Sequence, residues 1–192
     1  CMRKIVFDIE TSNTFSDVGS SNAADLDISV LCLHDSQTNE YRHFLQEDFT
    51  ELWGIIEGAD MLIGYNSDHF DIPLLNKYYP GDLTHIKSLD LLKEIHTSLG
   101  RRIKLDIVAQ ATLGEKKSGN GLEALSWWRN GEKQKVIDYC IQDVKVTKKI
   151  YEYALKNSKL KFKELGKSRD IPLDTSNWET RQDAALTHTL PF

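Results

Sequence analysis

Strand-like and helix-like segments are segregated along this 192-residue chain. Short apolar runs typical of β-strands occupy the first third, at residues 4–11, 28–33, 41–45 and 61–65. Beyond residue 70 the pattern becomes helical, and residues 132–157 form the longest segment with apolar positions at helical spacing. Strands first, one central strand and then helices predict an α/β fold, a mixed sheet flanked by helices.

The length predicts one main domain, which we place at residues 1–166, with a C-terminal extension or tail at residues 167–192. Residues 88–100 are predicted to be helical, and two alternating runs around Gly166 predict a late hairpin. No apolar run approaches the ~20 residues that a membrane helix needs, and three cysteines are too few for a disulfide framework. An intracellular protein, cytoplasmic or nucleoid-associated, is therefore expected.

The first predicted strand, KIVFDIET, carries two acids. Successive side chains on a strand point to opposite faces, so Asp8 and Glu10 lie on one face together. In one interpretation they face water while Ile5, Phe7 and Ile9 face the core. In the other they belong to a site that uses their charge.

Two further acids stand in GYNSDHFDIPLL and YCIQD. Asp71 is predicted where a loop enters a helix, a position at which it can cap the helix and still offer a free carboxylate oxygen. Tyr139 and Asp143 are four residues apart on a predicted helix, so they share a face about 5.4 Å apart along the axis. A surface acid beside a core tyrosine would also explain this pair.

Taken in order, these motifs resemble those of the DEDDy 3′→5′ exonucleases of the ribonuclease H-like superfamily. DIET is similar to their first motif, and YCIQD is similar to the third. NSDHFD is similar to the second motif in the form found in family-B DNA polymerase proofreading domains. The resemblance covers residues 3–157. In the sister group a catalytic histidine stands five residues before the last aspartate, and here that position is Asp138.

The resemblance implies a metal-dependent exonuclease whose catalytic residues are Asp8, Glu10, Asp71, Tyr139 and Asp143. A set of carboxylates without His or Cys favours Mg²⁺ or Mn²⁺, two ions per site. Asp8 is expected to bridge both ions, and Glu10 is expected to share one of them with Asp143. Asp71 is expected to hold the second ion through water, and Tyr139 to orient the attacking water.

The implied substrate is a nucleic acid with a free 3′ end, and the proofreading-like second motif favours DNA over RNA. Thr11, Asn66 and Phe70 are expected to hold the terminal nucleotide. Residues 1–100 carry 6 Lys+Arg against 17 Asp+Glu, whereas residues 101–167 carry 16 against 8. Candidates for phosphate contacts are therefore Arg101, Arg102, Lys104, Lys116, Lys117, Arg129, Lys133 and Lys135.

Other functions stay open at this point. Ribonuclease D and related RNA-trimming enzymes use the same constellation, and a nucleic-acid-binding scaffold could keep the fold without the chemistry. A structural calcium site is less favoured, because the chain has no D-x-D-x-D-G loop. The terminal Leu190-Pro191-Phe192 resembles the short apolar tails that dock on sliding clamps, so replication or repair proteins are candidate partners.

Overall fold

The computed structural model describes residues 1–116 and 119–181. The strands of the main sheet are β1 (Lys4–Thr11), β2 (Ile28–Asp35), β3 (Glu40–Phe44), β4 (Met61–Gly64) and β5 (Lys87–Asp90). They form one mixed sheet in the order β3-β2-β1-β4-β5. β1 is antiparallel to β2 and parallel to β4, and β4 is parallel to β5. The predicted α/β fold, a mixed sheet flanked by helices, is confirmed.

Helices cover both faces of this sheet. They are α1 (Phe15–Val18), α2 (Phe49–Glu57), α3 (Asp71–Asn76), α4 (Leu91–Leu99), α5 (Leu105–Leu113), α6 (Gly121–Arg129) and α7 (Lys133–Asn157). Apolar residues of α2 and α3 pack on one face, while those of α4, α5 and α7 pack on the other. In the described part of the chain, no helix combines the length and apolar character that crossing a membrane requires.

The prediction that residues 88–100 are helical throughout is wrong at its start, where the strand β5 lies. Residues 87–90 pair in parallel with β4 instead, and α4 begins only at Leu91. The Asp90 carboxylate marks the change, because it accepts the N–H groups of Leu92 at 3.0 Å and Lys93 at 3.3 Å. It is the N-cap of α4. Four residues are too few for sequence periodicity to separate a strand from the helix that follows.

The predicted late hairpin is confirmed as β6 (Lys159–Glu164) and β7 (Lys167–Pro172). Residues 173–181, which we call the C-terminal strap, then pack on the main domain. Trp178 is buried and stacks on Tyr151 of α7, with ring centroids 6.0 Å apart. Glu179 forms an ion pair with Lys4 of β1. Residues 182–192, the rest of the predicted extension, lie outside the described residues.

Candidate active site

The strand β1 turns its two acids toward α7. Val6, on the same face as Asp8 and Glu10, packs in the cluster that contains the apolar residues of α7. The thiol of Cys140 donates to the Asp8 carbonyl at 3.4 Å and approaches Asp8 Oδ2 at 3.7 Å. Ile5, Phe7 and Ile9 pack with α2 and α3 on the opposite face. Asp8 therefore does not face open water, contrary to the first of the two interpretations.

Asp71 is buried at the start of α3 and reaches back to β1. Its Oδ1 accepts the backbone N–H of Ile9 at 3.1 Å. β4 pairs with β1 only as far as Val6 and Ile63, so this N–H lies beyond the end of the ladder. A buried N–H needs an acceptor, and the Asp71 carboxylate takes the place of the missing strand carbonyl. This bond fixes the Asp71 carboxylate at Ile9, the residue between Asp8 and Glu10.

α7 contributes the other two members of the predicted set. Tyr139 is only 4% exposed, and its side chain hydrogen-bonds with that of Asp143 one turn later. Burial raises the pKa of Tyr139, and the carboxylates of Asp143, Glu10 and Asp8 raise it further. The phenol therefore keeps its proton at neutral pH.

The acids act on one another strongly. Burial raises the pKa of Asp8 well above its usual range, and Glu10, Asp143 and Asp71 raise it further. Burial also raises the pKa of Asp71 to about 8, against the N–H groups of Ile9 and of Asp71 itself, which lower it. Such mutual effects require proximity, so the structure brings all five predicted catalytic residues together.

This donor set fits a divalent cation. Ligand atoms of Asp8, Glu10 and Cys140 all lie within 4.8 Å of one another. Carboxylate oxygens are the donors that hard divalent cations prefer, and a cation would relieve the repulsion that raises these pKa values. The Cys140 thiol instead donates a hydrogen bond to the backbone carbonyl of Asp8.

A cleft of about 430 Å³ opens beside Glu10. Its walls are largely apolar, with Phe15 and Phe70 in edge-to-face contact at 6.2 Å and with Leu122 opposite them in α6. Thr11 also lines it, so two of the three residues predicted to hold the terminal nucleotide are in this cleft. Its volume is within the range of small-ligand sites.

Asn66, the third of these residues, lines a different cleft of about 300 Å³. Its backbone is left-handed, with φ at 66°, and its N–H donates to Asp90 Oδ1 at 2.8 Å. Its side-chain oxygen accepts from Arg102 at 2.7 Å, which places one of the predicted phosphate contacts in the same cleft. The structure therefore separates Asn66 and Arg102 from the cleft beside Glu10.

Most of the other predicted phosphate contacts already have protein partners. Arg101 pairs with Glu164, Arg129 with Asp17 and Lys135 with Glu132, while Lys133 lies over the ring of Trp128. Lys104 is exposed at the start of α5, and Lys116 lines a small cavity that also contains Asp143. Lys117 lies outside the described residues.

Asp90, which fixes the loop before Asp71, was not among the residues predicted from the sequence. This carboxylate is 5% exposed and accepts the N–H groups of Asn66 and Asp68 in addition to those at the start of α4. The signal was present in SLDLLKE, because an Asp directly before an apolar helical run is typical of an N-cap. Cys140, which lies between Tyr139 and Asp143 on α7, was also not predicted to belong to this site.

A family model described as RNase_H_2, of the RNase_H superfamily, matches residues 5–155. The chain belongs to the RNase H superfamily. Its fold is similar to that of the family B DNA polymerase from the hyperthermophilic archaeon Pyrobaculum calidifontis, with a TM-score of 0.61 and 20% identity. That match covers 81% of this chain and 25% of the polymerase chain, so this chain spans about a quarter of its length. A search of curated proteins gave no significant match.

Proposed function

We propose that this chain is a DEDDy-type 3′→5′ exonuclease that removes 5′-mononucleotides from the 3′ end of DNA, with a preference for single strands. One observation carries the proposal. Asp8, Glu10, Asp71, Tyr139 and Asp143 come from three distant parts of the chain and meet beside β1.

The proposed cofactor is a pair of Mg²⁺ or Mn²⁺ ions. When bound, such ions activate the attacking water and stabilise the leaving 3′ oxygen of a phosphodiester. Asp8 would be shared between the two ions, with Glu10 and Asp143 completing one site and Asp71 contributing to the other through water. Asp71 is buried and Asp8 is only partly exposed, so both acids lie where an unpaired carboxylate is costly and a cation would be bound strongly.

Tyr139 would hold the attacking water. Because its pKa is raised, its hydroxyl is protonated at neutral pH and can donate one hydrogen bond while accepting another. Its hydroxyl donates to the Asp143 carboxylate, so it could still accept a hydrogen bond from a water held beside these acids. Positioning of this kind contributes typically ~10²–10⁴-fold to the rate.

The cleft beside Glu10 would receive the terminal nucleoside. Phe15, Phe70 and Leu122 provide apolar surface for a base, and none of the described residues that line the cleft is a lysine or an arginine. Stacking on an aromatic ring contributes ~1–3 kcal/mol per base. The preference for DNA rests on the form of the NSDHFD motif, and the fold that the chain shares with a DNA polymerase is consistent with it.

The test uses a single-stranded DNA labelled at its 5′ end and an RNA of the same sequence. Each is incubated with Mg²⁺, with Mn²⁺ and with a chelator, and Asp8→Ala serves as the control. The expected result is a metal-dependent ladder of DNA that shortens from the 3′ end and is absent in the control. If only the RNA is degraded, RNA and not DNA is the substrate. Binding of both without cleavage would reject the enzyme and favour a scaffold.

A further inference from the structure

Tyr139 is contacted from the side by α6. The ring of Trp127 meets that of Tyr139 edge to face, with centroids 6.2 Å apart and planes at 71°. The backbone fixes where this tryptophan lies, because the Trp127 carbonyl accepts the N–H of Glu132 at 2.8 Å in the short link between α6 and α7. The two helices therefore hold the two rings in a defined relation.

Gly119 lies next to both of these rings. A Cβ at this position would lie 3.5 Å from Tyr139 Cδ2 and 3.3 Å from Trp127 Cη2. It would also lie 2.9 Å from Glu123 Oε2, and that oxygen accepts the N–H of Asn120 in the capping box of α6. The distance to Tyr139 is an ordinary contact, whereas the distance to Trp127 is tight, so an added methyl group would displace the Trp127 ring by a few tenths of an ångström, and Glu123 would have to move as well.

The neighbouring tryptophan has a different environment. Trp128 lies against Lys133, whose ammonium is 5.3 Å from the ring centroid. Trp127 and Trp128 have the same chemistry, are both partly buried and belong to one helix. They differ in that Trp127 contacts Tyr139, which makes Trp128 a matched control.

We infer that Trp127 is a positioning residue for Tyr139, with Gly119 leaving the room that the Trp127 ring occupies. This inference rests on the proposed function. A tyrosine that orients water must keep its hydroxyl in a narrow range of positions, and misplacement by about 1 Å can cost ~10²-fold in rate. Trp127 does not line the cleft beside Glu10, so its loss should lower kcat and leave KM unchanged.

The kinetic test compares Trp127→Leu, Trp128→Leu, Tyr139→Phe and the double variant Trp127→Leu/Tyr139→Phe. Trp127→Leu should lower kcat by about 10- to 100-fold, whereas Trp128→Leu should keep the wild-type value. In the Tyr139→Phe background, Trp127→Leu should cost less than about 3-fold, because the group it positions is already gone. An equal loss in both backgrounds would mean a general structural effect and would overturn the inference.

Two milder variants guard against misfolding of Trp127→Leu. Trp127→Phe keeps an aromatic ring and should recover most of the lost kcat. Gly119→Ala retains both aromatic residues and should lower kcat by displacing the Trp127 ring, whose Cη2 would lie 3.3 Å from the added Cβ. Wild-type turnover in Gly119→Ala would contradict the role given to this glycine, and no recovery in Trp127→Phe would contradict the ring contact.

A readout that needs no activity separates this inference from the proposed function. 3-Fluorotyrosine is placed at position 139, and its ¹⁹F resonance is recorded in the wild-type, Trp127→Leu and Trp128→Leu backgrounds. Loss of the Trp127 ring current shifts this resonance in any case, so its width is compared: it should broaden or split only with Trp127→Leu, because Tyr139 then takes several positions. An inactive wild type would reject the proposed function, and this measurement alone would then decide. A broadened or split resonance supports the positioning, and a single narrow one overturns it.

Discussion

The Asp71 carboxylate accepts the N–H of Ile9, the residue that separates Asp8 from Glu10 on β1. One hydrogen bond of 3.1 Å thus joins the loop after β4 to the middle of the acidic motif. The bond satisfies a strand N–H at a point where β4 no longer pairs with β1. In the proposed function the same carboxylate would also contribute to a metal site, so Asp71 would combine a structural and a functional role.

Tyr139→Phe should remove most activity and leave cation binding intact. The substitution deletes only the hydroxyl, which contributes to orienting water and not to the donor set, so we expect a loss of ~10²–10⁴-fold in kcat. Single-turnover cleavage and Mn²⁺ titration followed by electron paramagnetic resonance measure the two properties. Tyr153→Phe on the same helix is the control. Normal turnover in the Tyr139→Phe variant would remove this hydroxyl from the mechanism.

Divalent cations should stabilise the folded chain through Asp8. Binding only to the folded state adds about 2.7 kcal/mol at a cation concentration 100 times Kd. Urea unfolding with Mn²⁺ and with chelator measures this difference in the free energy of unfolding. Asp8→Asn should abolish it, and in chelator the variant should be at least as stable as wild type, because the repulsion between Asp8 and the neighbouring carboxylates is gone.

The control for this experiment is Asp138→Asn. Asp138 is exposed on α7 and accepts a hydrogen bond from Gln134 at 2.8 Å. The Asp138→Asn variant should keep the full gain in the free energy of unfolding on adding Mn²⁺. A wild-type chain whose stability is the same with Mn²⁺ and with chelator would contradict a metal site at Asp8.

Asp90→Ala should destabilise the fold by about 2 kcal/mol or more. The change removes the N-cap of α4 and leaves the N–H groups of Asn66 and Asp68 without their acceptor. Chemical denaturation measures the loss. Asp82→Ala removes an exposed cap from a short 3₁₀ turn and should cost less than about 1 kcal/mol. Equal costs for the two variants would contradict the central role of Asp90.

Trp178→Ala should cost about 3 kcal/mol or more, because the indole is buried against Tyr151 and substitutions of this kind leave a cavity. Thermal and urea unfolding give the change. The exposed Leu165 at the hairpin tip provides the contrast, since Leu165→Ala should change stability by less than about 0.5 kcal/mol. A neutral Trp178→Ala would show that the C-terminal strap adds nothing to the main domain.

The strap should weaken in acid. Hydrogen bonds from Lys4 and from Tyr151 lower the pKa of Glu179 below its usual 4.5. A lowered acid pKa stabilises the fold fully above the unfolded value, and this stabilisation is lost as the pH falls through the lower folded value. Because Glu179 is partly exposed, the effect should stay below ~1 kcal/mol. Glu179→Gln should flatten the stability profile in this window, and an unchanged profile would contradict the assignment.

Local patterns predicted the elements that have a clear period. The alternation in β1 and the helical stripe of α7 identified both elements, and the spacing of Tyr139 and Asp143 placed them on one face, where they form a hydrogen bond. β5 was missed because it has four residues and leads directly into α4. The strand exists through its pairing with β4, and pairing between distant residues leaves no period in the sequence.

The neighbours of the candidate catalytic residues were also beyond local patterns. Asn66 was expected beside the terminal nucleotide, but Asp90 and Arg102 hold it in another cleft. The Cys140 thiol meets Asp8 because β1 crosses under α7, and neither segment indicates this contact alone. Residue types in the sequence indicate the chemistry of a site, whereas the contacts of each side chain depend on how the helices pack on the sheet.

The strand β1 and the helix α7 supply four of the five side chains from opposite ends of the main domain. During synthesis β1 leaves the ribosome first, and Tyr139 and Asp143 emerge only after about 130 further residues. A nascent chain of this sequence therefore has no complete constellation until α7 can fold onto the finished sheet. An unfinished copy of this protein, among the nucleic acids that surround a translating ribosome, would not yet have the proposed catalytic site.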